Sequence, residues 1–223
     1  RRLEATRGAI LSRGGDGLDL LLEQLRSADR EWFGLGLRVA RELPGRSVTE
    51  ALAAEMGRMD AGRQAMLLTA IADREDAAVR PVIVKAAGRG DGPVESRVVA
   101  VKALERLGDA ATVDVLLGAA TDANAKVAEA ARLALLRLGA EEVEAAIAEK
   151  LDKARGKARE MLIDVAAQRR ISAALPAILA SIETGGETVR EAAIQAVGDL
   201  GGADQAADLV QLVRATSDAA ERQ

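Results

Sequence analysis

The chain has 223 residues, with 31 Lys and Arg against 35 Asp and Glu and a net charge of −4. It has no His and no Cys, which excludes a Cys/His zinc centre, a thiol nucleophile, a histidine general base and any disulfide. The balanced charge argues against a net-basic nucleic-acid surface, and the apolar runs are too short to span a membrane. With one Trp, one Phe and no Tyr, the core must be built from small aliphatic side chains. Ala, Leu, Glu and Arg favour helix, and β-branched runs are missing, so the expected class is all-α.

In chain order, "RRLEATRGAILSR" (1–13) fits the second helix of a pair whose first member lies upstream. "GLDLLLEQL" then begins an alternation of two helix types. The first type, A, continues with "VTEALAAEM", "AAVRPVIVKAA", "ATVDVLLGAA", "VEAAIAEKL", "AALPAILASI" and "AADLVQLV". The second type, B, carries apolar or small residues at relative positions 0, 3, 4, 7, 8 and 11, one face of a 3.6-residue helix. Its copies start at Trp32, at the Leu67-Leu68 stretch, at Val99, Val127, Ala158 and Val189. They end at Leu43, Ile71, Leu107, Leu138, Arg169 and Leu200, so the intervals are 28, 36, 31, 31 and 31. A period of this size with two helices per repeat is the signature of a helical solenoid.

Local signals set expected boundaries. Ser47 to Glu50 and Thr188 to Glu191 read as capping boxes. Pro81 and Pro176 fall inside A helices, where they should bend them. "GRGDGP" (88–93) accounts for the long interval and is expected to be a mobile insertion with no packing role, its Arg-Gly-Asp tripeptide being a chance occurrence. Repeat 2 has Arg63 and Gln64 where apolar residues belong, and repeat 5 ends in Arg169-Arg170 where others have Leu-Gly, so both junctions are expected to be irregular. "DREDAAVR" (73–80) and "RGKARE" (155–160) read as solvated charge runs. At the far end a seventh A helix, about 203–214, should expose Leu209, Val210 and Val213, and "SDAAERQ" begins a B helix that does not finish.

"VREAAIQAVGDLGG" and "VAEAARLALLRLGA" resemble HEAT repeats, in particular the short bacterial subtype known from phycobilin-lyase-like proteins. The resemblance covers essentially the whole chain. It implies a right-handed α-α superhelix of about six full repeats with partial ones at each end, a single domain over 1–223 within a longer bacterial protein. It also implies an interaction scaffold or spacer rather than an enzyme. The partner would be a protein, a peptide or another domain of the same protein, with no nucleic acid and no cofactor. The alternative it leaves is a tetrapyrrole-handling lyase-like or other small-molecule-modifying subunit. Compartment is open, either cytoplasmic or exported.

The candidate site follows from the helix geometry. At 100° per residue, relative position 5 of a B helix points away from the apolar stripe. In successive repeats it is Leu37, Ala65, Val101, Arg132, Ile163 and Ile194, five of six apolar where water is expected. With Leu133 and Leu136 these form an apolar row on the concave B-helix face, which exposed would mark a groove. Arg38, Arg41 and Lys102 at one end, and Glu160, Asp164 and Glu191 at the other, would orient a bound segment. Glu129, Glu160 and Glu191 recur every 31 residues and read as acids complementing positive helix ends. Trp32-Phe33 reads as junction filling. Adjacent carboxylates such as Glu141-Glu142 diverge on a helix and make a poor acid/base pair, so no catalytic residue is expected.

Overall fold

The computed structural model describes residues 1–74, 77–139 and 141–200, without the side chain of Glu141. The expected helix at 203–214, with Leu209, Val210 and Val213, lies outside these residues. The described chain is all-α. B-type helices are α1 (Arg2–Ser12), α3 (Arg30–Glu42), α5 (Ala61–Ala72), α7 (Val94–Leu107), α9 (Ala125–Arg137), α11 (Gly156–Gln168) and α13 (Glu187–Leu200). Between them lie the A-type helices α2 (Leu18–Arg26), α4 (Arg46–Met56), α6 (Val79–Gly88), α8 (Val113–Ala120), α10 (Glu141–Lys153) and α12 (Leu175–Thr184). Short 3₁₀ turns lead into α2, α8 and α12.

The chain divides into two compact units, Arg1–Gly108 with Asp114–Ala134, and Asp109–Val113 with Leu135–Gln223. In the first, α1, α3, α5 and α7 pack in one row and α2, α4 and α6 in a second, each A helix resting on the B helix that follows it. In the second, α11 packs beside α13 and α10 beside α12, with α10 on α11 and α12 on α13. This is the helix-pair repeat of a HEAT-like fold.

The apolar stripe is buried as the period requires: Val39 and Ala40, Leu67 and Ile71, Ala100 and Leu104, Ala131 and Leu135, Leu162 and Ala166, Ala193 and Val197. Burying one Leu or Ile contributes about 1.5–3 kcal/mol. Small residues let backbones close: a Cβ on Gly36 of α3 would stand 2.9 Å from Leu25 Cδ2 and 3.1 Å from the Leu25 nitrogen on α2.

Several local expectations are corrected. Helix α4 starts at Arg46 after Gly45, whose φ is 117°, so Ser47 is already inside the first turn. Thr188 is likewise inside α13, which starts at Glu187. The side-chain caps are elsewhere. Asp29 accepts from the nitrogens of Glu31 and Trp32, Asp60 from Arg63 N and Asn124 from Lys126 N, at the starts of α3, α5 and α9. Pro81 and Pro176 sit not in the interiors but in the first turns of α6 and α12, where an N–H has no intrahelical acceptor to lose. "GRGDGP" is a turn closed by Gly92 N–H to Arg89 O, and Arg97 donates to Gly90 O at 3.4 Å, so it is tied to the helix that follows.

The supposed irregular junctions and charge runs hold structural arginines. Arg74 is buried and donates to Thr49 Oγ1 at 2.6 Å, Leu43 O at 2.7 Å, Gly45 O at 3.1 Å and also Ala40 O. These carbonyls belong to the end of α3 and the turn after it, groups that a helix leaves without internal partners. Arg106 reaches Ala72 O of α5 at 2.7 Å, and Arg169 reaches Leu135 O, Leu136 O and Leu138 O at 3.0, 3.1 and 2.7 Å. Arg63 lies 4.4 Å over the ring of buried Phe33 and donates to Ser27 O, while Trp32 is half-buried. Gln64 donates to Met59 O. Arg159, read as solvated, is buried and donates to Ser181 Oγ at 2.8 Å and Ala177 O at 3.1 Å. Of the run 73–80, residues 75–76 lie outside the described residues.

Candidate functional site

The expected apolar row stays on the surface only in part. Val101 and Ile163 have no exposed area at all, so neither can line an open strip. Both lie on B helices that pack against a neighbouring B helix, α7 on α5 and α11 on α13, and that packing leaves no open face at these two positions. Leu37, Arg132, Leu133 and Leu136 are half-buried, and Ile194 is 43% exposed. The row is also divided between the units, Leu37 to Leu133 in the first and Leu136 to Ile194 in the second.

The exposed register of the first unit is one residue further on. Arg38, Met66 and Lys102 occupy equivalent places on α3, α5 and α7, all exposed, Met66 at 46%. Arg38 donates to Glu4 Oε1 at 3.1 Å and Arg41 to Asp73 Oδ2 at 2.8 Å, both exposed pairs of small energetic weight. In the second unit Glu160 and Asp164 are half-buried, Asp164 accepting from Gln168 at 2.6 Å, and Glu191 is exposed.

The Glu129, Glu160 and Glu191 ladder lies in the second turn of its helices, not the first, which corrects the helix-end reading. Glu129 accepts from Arg132 instead, and that bond holds its carboxyl below the ordinary carboxylate range. A stronger electrostatic centre was missed. The Glu55 side chain, 4% exposed on α4, takes a two-pronged contact from Arg26 at 2.9 and 2.7 Å and a third bond from Arg58 at 3.2 Å. The Arg26 hydrogen bonds push its carboxyl down. Asp122 is pushed down by Arg97 and by the backbone N–H of Asn124. Among the described residues no group of three or more Asp or Glu is placed to hold a metal ion, and no helix is long and apolar enough to cross a membrane.

Sequence reasoning also missed a cavity of about 460 Å³ between α4, α5, α6 and α7 in the first unit. The cap residues give one local difference at its rim, shared in part with α11, whose N-cap Arg155 makes no side-chain cap either. Helices α3, α5 and α9 begin on Asp29, Asp60 and Asn124, whereas α7 begins on Pro93, which has no side-chain acceptor.

No family model matches the chain, and no curated protein matches it. A solved structure similar to it is that of human deoxyhypusine hydroxylase in complex with glycerol. The TM-score is 0.46 and the identity 17%, over 96% of this chain and 91% of that chain. The likeness does not single out the phycobilin-lyase-like subtype. It also corrects the expectation that the chain is not an enzyme, because the similar chain is itself an enzyme.

Proposed function

We propose that the chain is a protein-binding repeat segment of a larger bacterial protein, and that its first unit meets its partner on the B helices at Arg38, Met66 and Lys102. The observation that supports this is the exposed cationic–apolar–cationic register on α3, α5 and α7. Guanidinium and thioether groups suit an acidic segment with one apolar anchor, since Met adapts its shape to what it contacts and Arg forms forked bonds to carboxylates. The second unit offers the opposite sign at Glu160, Asp164 and Glu191 beside exposed Ile194, and would take a basic segment. The partner is a separate protein, a peptide or another domain of the same protein.

A photo-crosslinking residue at Met66, with a control at exposed Glu23 on α2, tests the reading in cells. An adduct is expected at position 66 only, and it should disappear when Arg38→Glu and Lys102→Glu are combined. Equal labelling at both positions, or an adduct that survives the double charge reversal, defeats the proposal.

A further inference from the structure

We propose that the cavity between α4, α5, α6 and α7 binds an amphipathic monocarboxylate, its chain lying between the helices and its carboxylate at the start of α7. The walls are apolar: Ala53, Ala54 and Met56 from α4, Leu68 from α5, and Val82 and Ala86 from α6. At about 30 Å³ per atom the size of a water oxygen, 460 Å³ holds on the order of fifteen non-hydrogen atoms. A carboxylate with about ten carbons, about twelve non-hydrogen atoms, therefore fits within it.

The polar end is defined by three independent features. Helix α7 has fourteen residues, and Pro93 provides no side-chain cap for its first N–H groups. Those donors lie at the positive end of the helix dipole and favour an anion. Ser96 and Arg97 line the same cavity, are 7% and 6% exposed, and carry buried Oγ and Nε atoms without a hydrogen-bond partner. Buried polar atoms of this kind are normally satisfied, so both point to a ligand acceptor.

The class of anion follows from the charge balance. Asp122 already pairs with Nη2 of Arg97, and Gly90 O accepts from Nη1, so the guanidinium offers its third edge with its charge matched. At the rim Glu50 is paired with Arg46 at 2.8 Å and Arg89 with Asp91 at 3.5 Å, and exposed Lys85 adds one positive charge. Such a site favours a single negative charge with two acceptor oxygens over a multiply charged phosphate. Glu95, in the same first turn, is exposed and does not line the cavity.

The experiment is calorimetric titration of the full chain with decanoate and, separately, with decanol, which has the same chain and no charge. Saturable one-to-one binding is expected, with decanoate at least about tenfold tighter because its acceptor is charged. Ser96→Ala should weaken decanoate several-fold. Ala86→Phe, which fills the cavity, should abolish binding while the helical circular dichroism is retained. On the unmodified chain, magnetisation transfer from decanoate methylenes should reach the methyls of Ala53, Leu68 and Ala86, a readout independent of whether any variant folds. Equal affinity for decanol overturns the carboxylate class. No saturable binding, binding that survives Ala86→Phe, or transfer to other methyls overturns the site.

Discussion

The end of α3 and the end of α9 present the same problem and receive the same solution in the two units. Each helix leaves carbonyls that need donors, and each is closed by an arginine just past the end of the next B helix. Arg74 bonds to carbonyls 34 and 31 residues earlier, Ala40 and Leu43, and Arg169 to carbonyls 34 and 31 residues earlier, Leu135 and Leu138. The surroundings differ. Arg74 also holds Thr49 and Gly45 and is 4% exposed, whereas Arg169 has a buried Nε without a partner and a looser ion pair to half-exposed Glu144 at 3.7 Å. The register thus recurs at these two junctions, and their difference in burial is expected to grade how much each depends on its arginine.

Arg74→Ala should break the comparison most sharply. It strips donors from three carbonyls and a threonine hydroxyl at once, and a loss of about 3–5 kcal/mol is expected in urea unfolding. Arg74→Lys should recover only part of it, because an ammonium cannot reproduce the guanidinium fork. Arg169→Ala, at the more open junction, should cost about 2 kcal/mol. Losses of equal size would show that burial does not grade these junctions.

Acid should act on the first unit through Glu55 and Asp122. Both carboxyls titrate below their ordinary range when folded, because of Arg26 in one case and Arg97 in the other. Their contribution is complete above the unfolded carboxylate range and is lost as pH falls through the depressed folded values, below about pH 4. Glu55→Gln should lower stability by about 1–2 kcal/mol at neutral pH and flatten the acid decline, both measured from urea midpoints at several pH values. An unchanged acid slope would remove Glu55 from the account. The smallest change sharpens the second junction. Arg170 follows Arg169 at φ 57°, the left-handed conformation that costs a side chain roughly 1 kcal/mol. Arg170→Gly should therefore stabilise by a fraction of that, read as a small rise in the melting midpoint.

The helix pairs were legible in the sequence because burial repeats on one face with a fixed period, and Val39, Ala100, Ala131 and Ala193 are buried where that period puts them. Position 5 was not legible. Whether Val101 faces water or α5 depends on how one B helix is rotated against the next, and no local pattern records that angle. The arginines were hidden for a related reason. Arg74 and Arg159 sit among charged neighbours and look solvated, while the acceptors Ala40 and Ala177 lie 34 and 18 residues away. The cavity left no mark that sequence could isolate, because Pro93 is not alone among B-helix starts in lacking a side-chain cap: Arg155 of α11 lacks one too.

The bonds of Arg74, Arg106 and Arg169 all run backwards along the chain, from the end of a later B helix or just past it to the end of an earlier one. At these three junctions, removing the later arginine leaves the earlier helix end with bare carbonyls, whereas these bonds take no backbone partner from the later helix when the earlier one is removed. Neighbour coupling in such an array is therefore directional. Unravelling propagates more readily from the C-terminal side of each junction than from the N-terminal side, as in a row of overlapping tiles where each one secures the edge of the tile before it.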